Sequence, residues 1–503
     1  MSSHVEAAAS EAVAIPTSGG IYQSNGRVDR PICVDLDGTL TFSDTLIEGL
    51  LSAISRRDTL LQFPYLLSSN RAAFKRKLNE LIALDPALLP YNIPLIDYLQ
   101  QQKNAGRKLI LVTAADEKIA HAIANHLRLF DEVIASNGIV NLKGKAKAAE
   151  MLHRFGRNGF DYAGNSRADV AVWREAANVI IVNASNSVAK AARGLGKDVL
   201  EFPHQTSRWA NAIAAMRPYQ WVKNLLVFVP LLTSQAFTDW HGFTSAAMLF
   251  MSFCVVASSV YVANDLVDLS GDRQHPRKRR RPFASGALPL GFGLALVPAL
   301  FLIGLGLAVM MGAAPLVLLY AAISTAYSLM LKQMPLVDVF VLAALYTLRV
   351  VAGGVASHHP VTLWLLGFSG FTFLSLALIK RCGELPRDFA QHSNGPGHRR
   401  RGYYDGDRPV LVTFGVSSTF ASSVVLALFV GATLDTDRFH SPELLWGLVP
   451  LILFWQCRLW LATERGYMHD DPIVYAFLDW VSWLTGLVAV AIVLLATSMT
   501  WRF

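Results

Sequence analysis

Short apolar runs alternate with polar stretches of helical period from Pro31 to Phe202. PICVDLD, KLILVTA, EVIAS, FDYAG and NVIIVN have the composition of buried strands, and the polar stretches between them are suited to helices. Such alternation predicts a parallel sheet flanked by helices, a soluble α/β domain. Residues 44–100 interrupt it with a helical pattern that includes AFKRKLNELIALD, which predicts a helical insert or small cap. From Leu225 onward the pattern changes. Nine apolar segments lie near 220–237, 242–266, 287–310, 313–331, 336–356, 361–379, 410–432, 442–463 and 475–498. Each is close to the roughly 20 residues that cross a bilayer core, so an all-α membrane domain of nine transmembrane helices is expected. The stretch RWANAIAAMRPYQWVKN, beginning at Arg208, is amphipathic and carries Trp209 and Trp221. It is expected to lie at the membrane surface and to lead into the first span. The expected organisation is a disordered tail at 1–30, an α/β domain at 31–203, an interfacial linker helix at 204–219 and a membrane domain at 220–503.

Composition sharpens this division. The chain has 503 residues, 53% of them hydrophobic, and a mean hydropathy of +0.36, too apolar for a wholly soluble enzyme. Its net charge of +8 does not point to nucleic acid, because the basic residues cluster in loops between apolar segments. The loop at 268–286 carries six, and the loop at 380–409 carries seven. The connections on the opposite side offer only Arg438, with Arg502 near the C-terminus. The positive-inside rule then places both basic loops and the N-terminal domain in the cytoplasm. The first thirty residues contain no apolar signal-peptide core, which agrees with that topology. Cys33, Cys254, Cys382 and Cys457 are scattered without metal-binding spacing and read as buried thiols in a reducing setting.

The densest charge falls in NDLVDLSGDRQHPRKRRRPFASG, residues 264–286. In a continuous helix Asn264, Asp265, Asp268 and Asp272 would share one face. Three carboxylates there repel one another, and each costs about 2.5–3.5 kcal/mol at mid-bilayer, so they need cations. A Mg²⁺ ion takes carboxylate and phosphate oxygens together, which points to a diphosphate ligand. Arg273, Lys278 and Arg281 in the basic run are candidate phosphate partners. The same run also serves as an orientation signal.

This stretch resembles the first aspartate-rich motif of the UbiA superfamily of intramembrane prenyltransferases, over about residues 210–500. The resemblance implies a nine-helix membrane fold and diphosphate binding through Mg²⁺ on Asp265, Asp268 and Asp272. MRPYQWVKNLLVFVPLL, YSLMLKQMPLVDVFVLAALYTLRVVAGGVAS and LALIKRCGEL resemble the polyprenyl-phosphate phosphoribosyltransferases of cell-wall biosynthesis. Members that prenylate aromatic rings generally carry a second DxxxD motif. Here Asp338 has no carboxylate four residues away and is accompanied by Lys332 and Arg349. The resemblance therefore implies phosphoribosyl pyrophosphate as donor and a polyprenyl phosphate lipid as acceptor. Lys223 and Asn224 are candidates for the lipid phosphate, and Lys332, Asp338 and Arg349 for the phosphoribosyl group. Lys223 is also placed to snorkel at a helix end, and Asp338 and Arg349 could form a structural pair. Tyr403 and Tyr404 are candidates to close the cytoplasmic loop, His358 and His359 read as an outer loop, and Asp407 reads as a helix cap.

DLDGTLTFSDT follows the strand PICV, placing Asp35 and Asp37 at a strand's C-terminal end, where open α/β sheets bind ligands. The pattern resembles the first motif of haloacid dehalogenase-like phosphatases, over roughly residues 31–200. It implies a Rossmann-like sheet with a small cap. Asp35 is then the nucleophile and Asp37 the general acid and base. Thr113 would bond the transferred phosphoryl group, and Lys143 would neutralise charge, with Lys145 and Lys147 as alternatives. Asp35, Asp37, Asn165 and Asp169 would form the Mg²⁺ site. Asn165 stands where the family has aspartate, which leaves weaker metal binding, a restricted substrate or a degenerate domain open.

The combined reading is a bifunctional protein of the bacterial inner membrane. It would transfer 5-phosphoribose to a polyprenyl phosphate, and the phosphatase domain would remove the 5-phosphate. The alternatives are a polyprenyl transferase acting on an aromatic ring, and a lipid transporter or binding protein whose soluble domain is a scaffold. Polyprenyl length, oligomeric state and the final glycan are not encoded in any of these motifs.

Overall fold

A computed structural model describes residues 30–55, 59, 71–137, 140–203, 207–234, 239–385, 402–433, 439–468 and 471–498. The expected tail and most of the basic loop at 380–409 lie outside these residues. The chain divides into two compact units, one comprising 1–42 with 63–204 and the other 43–62 with 205–503.

The first unit opens with β1 (Ile32–Val34), which the chain follows with α1 (Thr45–Ser55), a helix of the second unit. The first unit continues with α2 (Arg71–Leu81), α3 (Ile93–Asn104), β2 (Leu109–Asp116), α4 (Glu117–Leu127) and β3 (Glu132–Ser136). It ends with α5 (Lys145–Phe155), β4 (Asp161–Gly164), α6 (Val170–Glu175), β5 (Val179–Val182), α7 (Asn186–Arg193) and β6 (Val199–Phe202). The six strands run in the order β3-β2-β1-β4-β5-β6, and every pair is parallel. Strands in such a sheet are buried on both faces, which is why they read as continuous apolar runs. Ile32, Val34, Leu109 and Leu111 pack with Leu95, Leu99, Ile119 and Ile123 on one face. Their alternates Cys33, Ile110 and Val112 pack with Met151, Phe160, Trp173 and Val188 on the other. The chain reverses its direction of sheet growth between β1 and β4, and that switch point is where such sheets form a ligand crevice.

In the second unit, α8 (Arg208–Met216) ends at Arg217, whose φ of 53° turns the chain into a 3₁₀ stretch over Pro218–Phe228 and then α9 (Val229–Thr233). The long helices follow as α10 (Trp240–Val267), with a short α11 (Leu269–Gln274), then α12 (Leu290–Met310), α13 (Ala314–Leu329), α14 (Val337–Ser357) and α15 (Leu363–Glu384). α16 (Arg408–Thr433), α17 (Leu448–Glu464), α18 (Pro472–Leu478) and α19 (Trp480–Ser498) complete it. Seven helices among the described residues are long and apolar enough to cross a membrane, making this a multi-pass membrane protein.

That number differs from the nine expected spans for two local reasons. The segment near 220–237 is not one α-helix, because Pro218 and Pro230 lack the N–H needed to continue a helical ladder and the 3₁₀ stretch buries the polar Lys223 and Asn224. The segment near 313–331 forms the 16-residue α13, which stops where Met330 leaves helical geometry at φ −135° and ψ −53°.

The 3₁₀ stretch runs antiparallel to α10. Arg217 meets Asp265, Trp221 Nε1 donates to Ser258 Oγ at 3.0 Å, and Asn224 Nδ2 donates to Cys254 Sγ at 3.3 Å. Gly353 on α14 admits this stretch, since a Cβ there would lie 2.0 Å from the carbonyl oxygen of Val227. Between α10 and α12, Ser252 Oγ donates to the Gly304 carbonyl at 2.7 Å, the close approach of small and hydroxyl residues common inside membranes. Gly353→Val should destabilise the unit by about 1–3 kcal/mol through overpacking against backbone. Gly370→Ala, a helical site with nothing within 4 Å of the added Cβ, should be neutral or stabilising in the same unfolding measurement on solubilised protein.

Candidate active sites

In the first unit the candidate residues gather at the carboxyl ends of β1, β2 and β4. Asp35 leaves β1 buried, and its Oδ1 accepts from Lys147 Nζ at 2.7 Å. Lys147 also donates to Tyr162 Oη at 2.8 Å, and Tyr162 donates onward to Asp169 Oδ1 at 2.9 Å. The other Asp169 oxygen accepts from Asn165 N, Ser166 N and Ser166 Oγ at 3.2, 2.9 and 2.7 Å. Both oxygens of Asp169 are thus engaged by the protein, and the residue fixes the loop that carries Asn165. Thr113 is fully buried, and its hydroxyl accepts from Ala115 N at 3.0 Å. Asp37 is half-buried and lies in a turn with Gly38 at φ 75°. That glycine is required twice over, because a Cβ there would also sit 1.9 Å from Asn165 Nδ2.

The lysine that reaches Asp35 is Lys147, not Lys143. Lys143 and Lys145 are exposed at the start of α5, whereas Lys147, Ala148 and Met151 form its buried face. That helical spacing of one lysine with two apolar residues was the available sequence signal. Burial pushes the Asp35 carboxyl up to about 6; the Lys147 ammonium works against this shift and Asp169 adds to it. The residues at this end are hard oxygen donors of the kind Mg²⁺ takes, with Asp35 and Asn165 as the side chains that fit it.

The second site lies at one end of the helical unit. α10 stops at Val267, and Asp268 is its C-cap with φ −93° and ψ 19°. The backbone bends there, but Asp268 N still donates to the Asn264 carbonyl and Asp272 N to the Asp268 carbonyl, both at 2.9 Å, so the helical ladder runs on through the motif. Asp265 and Asp272 are buried, while Asp268 is exposed and sits 3.4 Å from Lys332. Arg281 Nη1 bridges the buried pair, donating to Asp265 Oδ1 at 3.1 Å and Asp272 Oδ2 at 2.6 Å. Arg217 also donates to Asp265 Oδ1, and Lys278 lies 4.0 Å from Asp272. Asn264 Nδ2 donates to Ser328 Oγ at 2.8 Å, tying α10 to α13.

Arg273 is engaged elsewhere. Its guanidinium donates to both Glu48 carboxylate oxygens and to the Ala284 carbonyl, so a direct phosphate contact is replaced by an internal clamp. Asp338 and Arg349 are likewise separate. Asp338 pairs with Arg381 and accepts from Tyr403 Oη. Arg349 Nε donates to Asn224 Oδ1 at 2.8 Å and Nη2 to Tyr320 Oη at 3.1 Å, with its charge 4.6 Å from the Tyr320 ring centre. Lys223 is buried against Asp471 at 2.7 Å, and Lys380 reaches the same carboxylate at 3.2 Å.

Arg217, Lys380, Arg381 and Asp471 are members of these clusters that the motif reading did not name. Asp471 precedes Pro472 at a helix start, and Lys380–Arg381 end an apolar span, positions at which charge inside a membrane protein is informative. Tyr403 is buried and donates to Asp338, whereas Tyr404 is exposed. Asp407 accepts from Tyr404 N at 2.9 Å as a cap. His359 lies 3.2 Å from Asp239 at the opposite end of the helices. Cys457 is exposed, unlike the other three cysteines.

Among the described residues no three His, Cys, Asp or Glu side chains converge as a ready metal site. Asp265 Oδ2 is nevertheless buried without a hydrogen-bond partner, and one guanidinium draws its carboxylate toward that of Asp272. An orphaned carboxylate oxygen beside a second carboxylate fits a hard divalent cation.

The electrostatics of Asp35 can be tested without metal. In infrared titration of metal-free protein, with Asp35→Asn as the difference reference, the carboxyl should ionise near pH 6. Lys147→Met removes the cation that favours the ionised form, so the transition should move to higher pH; a downward move would contradict the assignment.

Residues 225–478 match the UbiA prenyltransferase family. The uncharacterized protein y4nM of Sinorhizobium fredii is 36% identical over 475 residues, which cover 92% of this chain and 90% of that protein. Nodulation protein NoeC of Azorhizobium caulinodans is 35% identical over 267 residues, covering 53% and 86%. Decaprenyl-phosphate phosphoribosyltransferase of Corynebacterium glutamicum is 36% identical over 179 residues, covering 34% of this chain and 54% of that enzyme. With its family match placed on the helical unit that holds the paired aspartates, the chain belongs to the UbiA prenyltransferase family.

Proposed function

We propose that the membrane unit transfers 5-phosphoribose from phosphoribosyl pyrophosphate to a polyprenyl phosphate, releasing diphosphate. The observation that carries this reading is a surplus of positive charge within the helical unit. Lys223 is buried against Asp471, the partly buried Lys380 reaches the same carboxylate, and Tyr346 Oη donates to it at 3.2 Å. Arg349 lies beside the Tyr346 ring and donates to the neutral Asn224, Tyr320 and Leu345 carbonyl. Two lysines sharing one carboxylate, with a guanidinium nearby that is held by neutral partners, suit an anionic acceptor, whereas a neutral aromatic ring has no use for them. A donor diphosphate at the aspartates and an acceptor phosphate at the lysines would then occupy separate positions in one unit. Sequence similarity to a decaprenyl-phosphate phosphoribosyltransferase over a third of the chain supports the same substrate class.

In this mechanism a lipid phosphate oxygen attacks the ribose anomeric carbon as the bond to the diphosphate oxygen breaks. The nucleophile is already anionic, so positioning and charge neutralisation suffice. Asp265 and Asp272, with Asp268, would hold Mg²⁺, whose bound charge neutralises the leaving diphosphate. Arg217 and Arg281, which offset those carboxylates, supply guanidiniums able to grip phosphate oxygens.

We further infer that the α/β unit is a haloacid dehalogenase-like phosphatase acting on the 5-phosphate of the lipid product. Asp35 would attack phosphorus, the bond to the ribose O5 would break, and Asp37 would protonate that oxygen. Asp37 would then activate water to release inorganic phosphate from the aspartyl-phosphate. Lys147 holds Asp35 in place, and Asp169 holds the Asn165 loop. The basic loops would face the cytoplasm of a bacterial inner membrane.

Purified protein supplied with labelled phosphoribosyl pyrophosphate and decaprenyl phosphate should yield labelled lipid. Asp265→Asn or Asp272→Asn should lower transfer about 10²-fold or more. Asp35→Asn should leave transfer intact and accumulate the 5-phosphorylated lipid. Absence of labelled lipid, with prenylation of an aromatic acceptor instead, would overturn the phosphoribosyl reading; lipid transport unchanged in Asp265→Asn would support a transporter.

A further inference from the structure

Helix α1 belongs to the membrane unit although the sequence places it directly after the DLDGTL stretch. Asp44 caps it, accepting from Leu46 N and Ile47 N at 3.0 and 3.1 Å. Leu51 buries among Ala212, Val262, Leu266, Phe283 and Leu288, and Ile47 packs against the same group. This apolar seat brings Glu48 to Arg273 across 225 residues of sequence. The two side chains are only 5% and 7% exposed. Arg273 Nη1 and Nη2 donate to the two Glu48 oxygens at 2.9 and 2.6 Å, and Nε donates to the Ala284 carbonyl at 3.0 Å.

The position of Arg273 gives this clamp a consequence for chemistry. Arg273 is adjacent in sequence to Asp272, whose carboxylate is held by Arg281. Ala284 lies three residues beyond Arg281. One guanidinium therefore ties the helix carrying Asp272 to the turn carrying Arg281, while Glu48 offsets its charge. Without Glu48, Arg273 would be a buried cation beside the acidic motif, free to compete with Arg281 and with any ligand cation for Asp272.

Resting on the phosphoribosyl reading for its reaction, we propose that Glu48 is a positioning residue of the transferase, which holds Arg273 away from the aspartates and sets the Asp272–Arg281 geometry. Glu48 thereby makes a helix from the N-terminal third of the chain a working part of the membrane site. It lies eleven residues after Asp37, so one continuous segment carries both the nucleophile motif and this clamp. Glu48 touches no reacting atom in this role. Its effect passes through Arg273.

The test compares full-length wild type, Glu48→Gln, Glu48→Asp and the exchanged pair Glu48→Arg with Arg273→Glu. Hydrogen exchange should rise at residues 268–288 in Glu48→Gln while α14 and α15 keep their protection; unchanged exchange at 268–288 would overturn the proposal whatever the substrate is. In transfer assays kcat should fall about 10–100-fold, the range seen when residues supporting a site's ligands are removed, with KM for the lipid little changed. Glu48→Asp should lose less than Glu48→Gln, and the exchanged pair should regain activity over either single change. Equal kcat in wild type and Glu48→Gln would also overturn the proposal. A wild type that transfers no phosphoribose would sink the substrate reading alone, leaving the exchange measurement to decide the clamp.

Discussion

The membrane unit depends on the bridge from Arg281 to Asp265 and Asp272. Two buried carboxylates next to an apolar helix repel each other and lose hydration, so the chain must bring a cation to them. That requirement explains why the basic run returns toward the end of α10. It also accounts for Arg217, placed by its left-handed backbone where α8 gives way to the 3₁₀ stretch. From there the same stretch delivers Lys223 and Asn224 to the interior, and Gly353 permits its approach to α14. The basic loop therefore does more than orient the protein in a bilayer.

A similar balance governs the α/β unit. Lys147 lies between Asp35 and Asp169 and offsets part of the cost of burying them. The Asp35 carboxyl still ionises only near 6, because burial outweighs its cation. Charge in the membrane unit is shared differently. The cluster at the end of α10 pairs Asp265 and Asp272 with Arg217 and Arg281, whereas Lys223 and Lys380 share the single carboxylate of Asp471 and Arg349 is held by neutral partners, which suits an anionic group.

Much of this architecture was legible in the sequence. Apolar runs such as KLILVTA identify sheet strands because both of their faces are covered, and DLD is placed by the end of its strand. The long spans are legible because lipid demands length and apolarity together. Local backbone breaks were not. Pro218 and Pro230 replace one expected span with a 3₁₀ stretch and a short helix, and the off-helical backbone at Asp268 leaves that residue exposed while Asp265 and Asp272 are buried. Partner choice was also hidden, because it depends on residues far apart in the chain. Arg349 was recognisable as an intramembrane cation, but its partners Asn224 and Tyr320 lie 125 and 29 residues away. Arg273 looked like a phosphate ligand until Glu48 appeared beside it.

In the proposed reaction the cations around Asp471 receive a lipid phosphate while the aspartates manage a departing diphosphate. Mass spectrometry of the lipid formed by the purified full-length protein from polyprenyl phosphate and phosphoribosyl pyrophosphate tests it most directly. The expected product is a polyprenyl phosphate heavier by one ribosyl group, or by one phosphoribosyl group when Asp35 is replaced by Asn. Recovery of the lipid phosphate unchanged, under conditions in which the protein prenylates an aromatic acceptor, would contradict it.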